Sequence, residues 1–139
     1  MGDSFVLHPQ LAQDTLFLGD WPLCRMLRMN DRSYPWLILV PRVPDIREII
    51  DLVEDDQQRL VSEIAQASRI FRKHLAPDKL NVAALGNVVP QLHVHIVARF
   101  VTDPAWPRPI WGVKPVEPFP GDEAMTAVAE LRAQLGLPQ

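Results

Sequence analysis

The chain has 139 residues, the size of one domain, and a globular chain of that length buries roughly 68% of the surface its unfolded form exposes. Apolar residues make up 47% and charged residues 22%, which excludes intrinsic disorder. A net charge of -3 without a run of lysine or arginine excludes a nucleic-acid partner, and the longest apolar run, residues 36–40, falls far short of the ~20 residues that cross a bilayer, so no membrane role is expected.

Two short apolar runs, residues 15–19 and 23–29, read as antiparallel strands meeting near Gly19-Asp20-Trp21-Pro22. A turn at Asn30-Asp31-Arg32-Ser33 leads to a third strand over 36–40, stopped by Pro41. Cys24 is the only cysteine, so no internal disulfide forms. The first residues also lack the basic segment and apolar core of a signal peptide, and both observations point to the cytoplasm.

From 54 to 75 the apolar residues Leu60, Val61, Ile64, Ala67, Phe71 and Leu75 recur at the spacing of one helical face. Glu54, Asp55 and Asp56 open that segment and Arg69, Arg72, Lys73 and His74 close it, which complements the helix dipole at both ends. After Pro77, residues 80–85 and 92–100 read as two more strands joined through Gly86-Asn87-Val88-Val89-Pro90. Residues 103–120 are rich in proline and carry Trp106 and Trp111, a composition suited to an extended, draped segment. A last helix is predicted over 122–135, with Ala124, Val128, Leu131 and Leu135 on one side and Gly136 as its stop. This order predicts an α+β domain spanning 1–139: a five-stranded antiparallel sheet with one face covered, one long helix and a C-terminal helix.

The stretch Gln91-Leu92-His93-Val94-His95-Ile96 holds two of the chain's four histidines. Along a strand, residues i and i+2 share a face at a rise of about 3.3 Å per residue, so Gln91, His93 and His95 are expected in one row with Leu92, Val94 and Ile96 facing the core. Residue types alone leave three readings open. The histidines serve as ordinary sheet residues, as the zinc- or iron-binding pair of a metalloprotein, or as a nucleophile and its neighbour in covalent catalysis.

That stretch resembles the signature of the histidine triad (HIT) superfamily, with glutamine in place of the first histidine. The likeness extends to the apolar strand Trp36 to Pro41 and to the strand and glycine turn from Asn81 to Asn87. It implies a HIT-like α+β fold, a homodimer, and cleavage at the α-phosphate of a nucleotide through a nucleotidyl-histidine intermediate, with no cofactor and no metal. The implied substrates are adenine nucleotides, such as dinucleoside polyphosphates or nucleoside monophosphate conjugates. By the same resemblance His93 is the nucleophile and His95 binds phosphate, in protonated form where charge builds on the phosphoryl oxygens. Gln91 keeps an orienting role, and Asn30, Gly86 and Asn87 contact the nucleotide. Glutamine hydrogen-bonds but does not titrate, so a nucleotide-binding regulatory module without turnover is the alternative. Trp36 stands where many members carry another histidine, and Trp106 and Trp111 are candidates for contact with the base or a second protomer.

Overall fold

A computed structural model describes residues 4–139. Five strands form one antiparallel sheet: β1 (Thr15–Asp20), β2 (Cys24–Met29), β3 (Trp36–Pro41), β4 (Lys79–Ala83) and β5 (Val94–Arg99). Their spatial order is β1-β2-β3-β5-β4, which puts β5 between β3 and the edge strand β4. Among the described residues three α-helices accompany it, α1 (Pro9–Asp14), α2 (Glu54–Leu75) and α3 (Gly121–Leu135), with one short 3-10 helix at Ile49–Asp51. The predicted α+β class, the sheet, the long helix and the C-terminal helix are all present. Among the described residues no helix is long and apolar enough to cross a membrane.

Helix α2 begins and ends where the charge pattern and Pro77 place its ends, and its C-cap Ala76 adopts the left-handed conformation at φ 47°. Its inward face carries Leu60, Glu63, Ala67 and Phe71, whereas Val61, expected on that face, is exposed. The Glu63 carboxylate is buried for a reason: it accepts the main-chain N–H groups of Leu23 and Cys24, each at 2.9 Å, and so fastens α2 to the start of β2. Gly136 ends α3 at φ 71°, as its position predicted.

Both sheet faces are covered, which corrects the expectation of a single covered face. On one side α2 and α3 bury Met26, Leu37, Leu39, Val94 and Ile96. On the other, Leu11 of α1 with Ala105 and Ile110 of the proline-rich segment cover Leu27, Trp36, Ile38 and Val97. Helix α1 was not anticipated, because six residues with one buried side chain leave no periodicity to read. The proline-rich segment forms no long element, but a buried ion pair docks it: Asp103 takes both Nε and Nη2 of Arg99, at 2.7 and 3.0 Å.

Candidate functional site

The strand β5 starts at Val94, so the pleat carries His95, while His93 lies one residue before the ladder and keeps the same sense of alternation. Leu92, Val94 and Ile96 sit in the helix-side core. His93 and His95 turn to the opposite face, with ring centroids 4.9 Å apart at 70°, and both are buried. They form part of the wall of a cavity of about 490 Å³. That volume lies within the usual range for small-molecule sites.

Hydrogen bonds set the two imidazoles in opposite tautomers. His93 Nδ1 lies 2.7 Å from the Gln91 main-chain oxygen, and a carbonyl only accepts, so Nδ1 carries a proton and the lone pair of the neutral ring is the one on Nε2. His95 Nδ1 lies 3.0 Å from Trp36 Nε1, and an indole N–H only donates, so here Nδ1 accepts and the proton sits on Nε2. Burial, reinforced by the neighbouring His93, pushes the His95 pKa down to about 4. His95 is therefore neutral near pH 7, which corrects the expectation of a protonated imidazole at that position.

Trp36 occupies the place of the imidazole expected from the resemblance and supplies the hydrogen bond directly. Its ring and that of Trp111 meet edge-on at 6.1 Å, and Trp111 also packs edge-on to His95 at 5.1 Å. Trp111 thus belongs to the site. Trp106 does not; it covers the Arg99 guanidinium at 5.7 Å.

Of the other sequence-derived candidates, Gly86 and Asn87 line the cavity, with Gly86 at φ 75° making the turn that brings Asn87 to its edge. Asn30 does not line it. Its side-chain oxygen accepts the Phe119 N–H at 3.0 Å, and the adjacent Asp31 faces the cavity instead. Gln91 is also absent from that wall. Past the ladder the chain leaves the pleat, and the Gln91 carboxamide bonds to the main chain of His8 and Val6.

Several wall residues were missed from the sequence: Leu11, Asp14, Asp31 and Lys114. The Asn30-Asp31 pair offered a signal, since either member of a turn dipeptide is able to face inward, whereas Lys114 offered none. Lys114 is the single cation among the lining residues and is itself bonded to Glu117 and Ser33. Among the described residues no third histidine, cysteine or carboxylate gathers with His93 and His95 into a metal-ligating cluster.

The family model for the HIT domain matches residues 10–102. A histidine triad protein from Bradyrhizobium japonicum is similar in structure, with TM-score 0.90 and 49% identity over 94% of this chain and 98% of the other. One from Marinobacter aquaeolei has TM-score 0.92 and 48% identity over 95% and 96% of the two chains. A third, from Sinorhizobium meliloti, has TM-score 0.91 and 41% identity over 96% and 99%. Among the curated proteins none matches significantly. With the matched domain spanning most of the chain and the histidine pair lying within it, the protein belongs to the histidine triad family, whose members are generally nucleotide-binding hydrolases or transferases.

Proposed function

We propose that this protein binds a nucleotide and breaks the bond between its α-phosphate and a leaving group, with His93 as nucleophile. The observation that carries the reading is the pair of opposed tautomers. The carbonyl behind His93 holds the Nδ1 proton, so the neutral ring attacks with its Nε2 lone pair, and the indole behind His95 leaves an N–H on its Nε2. In the first step His93 Nε2 forms a bond to phosphorus while the leaving group departs with the electron pair of the broken bond. The resulting imidazolium shares its Nδ1 proton with the Gln91 carbonyl. His95 Nε2–H donates to a non-bridging oxygen as charge gathers there. Water then attacks phosphorus from the side opposite His93: the P–N bond breaks with its electron pair returning to Nε2, one water proton passes to the departed leaving group, and the nucleoside monophosphate and a neutral imidazole are released.

The charge of the wall bears on the substrate. One cation, already paired with Glu117, stands against Asp14 and Asp31, a poor match for a chain of phosphates. A nucleoside monophosphate conjugate with a neutral or cationic leaving group suits this wall better than a dinucleoside polyphosphate. Leu11, Met29 and Ile110 offer apolar area to a flat base, which we take to be adenine. We read Gly86 and Asn87 as phosphate contacts, the chain as one domain, its assembly as a homodimer and its place as the cytoplasm.

Rapid quench of the protein with an adenosine phosphoramidate, followed by intact-mass analysis, is expected to trap an AMP adduct on His93. His93→Ala should abolish the adduct and lower turnover by at least about 10³-fold. Wild-type turnover in that variant would overturn the assignment, and nucleotide binding with neither adduct nor cleavage would establish the binding-only alternative.

A further inference from the structure

Gln91 holds the first position of the motif, yet its carboxamide works on the N-terminal segment. It accepts the His8 main-chain N–H at 2.8 Å and donates to the Val6 carbonyl at 2.9 Å. In extended chain the C=O of one residue and the N–H two residues on point to the same side, and a neighbouring strand answers them with an N–H and a C=O. A carboxamide presents the same two groups side by side. Gln91 therefore pairs with residues 6–8 as a fragment of strand would.

What the pairing holds in place is a wall of the cavity. Phe5 and Leu7 pack on the second core, and the Val6 side chain points outward at 74% exposure, so the grip is on main chain. Directly after it, His8 Nδ1 accepts the Gln10 N–H at 3.0 Å and α1 begins. That helix carries Gln10, Leu11 and Asp14 to the cavity. On its main-chain side the same Gln91 supplies the carbonyl that holds His93 Nδ1–H.

We propose that Gln91 is a positioning residue that clamps the segment 6–14 as one wall of the ligand cavity, so that the first place of the motif serves ligand fit and not phosphate chemistry. The proposal rests on the nucleotide reading above. A histidine at this position is a poor substitute. The two nitrogens of imidazole diverge and do not meet two main-chain groups that point the same way.

The test compares wild type with Gln91→Leu, Gln91→Glu and Gln91→His. Hydrogen exchange on the ligand-free protein should show the His8 amide exchanging about tenfold faster in Gln91→Leu, with the β5 amides unchanged. Gln91→Glu, which keeps the acceptor but sets an oxygen against the Val6 carbonyl, should fall between. With an adenosine phosphoramidate, KM should rise about tenfold in Gln91→Leu and Gln91→His while kcat moves less than about threefold. Unchanged His8 exchange in Gln91→Leu would overturn the clamp, as would a loss confined to kcat or faster turnover in Gln91→His. Because the exchange experiment contains no nucleotide, a wild type that binds none removes the functional reading without touching the clamp.

Discussion

At His95 two requirements meet, a buried ring and a defined proton position. The ring is 6% exposed between Trp36 and Trp111, and its acceptor nitrogen is satisfied by one donor, the Trp36 indole. Trp36→Phe keeps most of the apolar area but removes that donor, leaving a buried nitrogen unpaired at a cost of about 1–3 kcal/mol. The variant should show that loss in urea denaturation, lose at least about tenfold in turnover, and release the His95 tautomer as seen in the ring ¹⁵N shifts. An unchanged tautomer would mean that the indole does not set it. The sequence located both histidines, because the alternation Leu92, His93, Val94, His95, Ile96 survives into the fold. It did not reveal that a tryptophan on β3 would act on one of them. That contact depends on the register pairing Ile38 with His95 and Trp36 with Val97.

Among the elements, α2 was read most completely, since a 22-residue helix carries its period, its end charges and its stop in its own sequence. The exception is Glu63, an acid on the apolar face whose purpose is visible only once β2 is packed against it. Glu63→Ala deletes the acceptor for two buried N–H groups, and an expected loss of about 3 kcal/mol should appear as a lower urea midpoint with an unchanged m-value. A loss below about 0.5 kcal/mol would show that water replaces the carboxylate. The strand β5 was read correctly in type and too long at its start. Gln91 was assigned to the pleat, but the ladder ends at Val94, and the preceding residues follow hydrogen bonds from the N-terminal segment. The proline-rich segment was rightly read as irregular. That it carries Trp111 and Lys114 to the histidines follows from Ala105 and Ile110 packing with Leu27, Trp36 and Ile38 in the second core, a set of tertiary contacts.

For the molecule as a whole, two buried groups, His95 and Asp103, make stability depend on pH on the acid side. His95 has an unfolded pKa near 6.5 and a folded one of about 4, so the unfolded chain binds the extra proton and stability falls as pH drops from about 6.5 to 4. That contribution is on the order of 3 kcal/mol. Burial works to raise the Asp103 pKa, but the Arg99 guanidinium and the N–H groups of Phe100, Trp106 and Ala105 outweigh it and bring it down to about 2. Its contribution is present above about pH 4 and is lost as pH falls toward 2. Denaturation across pH should therefore show two successive declines on acidification. His95→Asn should remove the upper one and Asp103→Asn the lower, while a flat profile between pH 6.5 and 4 in the wild type would contradict a buried neutral His95.

Periodicity, end charges and turn residues acted locally, and from them alone the sequence determined the α+β class, the ends of the long helix, the succession of strands along the chain and the facing of His93 and His95. Those properties depend on neighbours a few residues apart. The direction of Asn30 and Gln91, the tautomer of His95, the covering of the second sheet face and the charge of the cavity depend on groups tens of residues away. Hydrogen bonds such as Gln91 to His8, or Trp36 to His95, exist only once the sheet has brought their partners together, and for that reason the tertiary structure alone decided them.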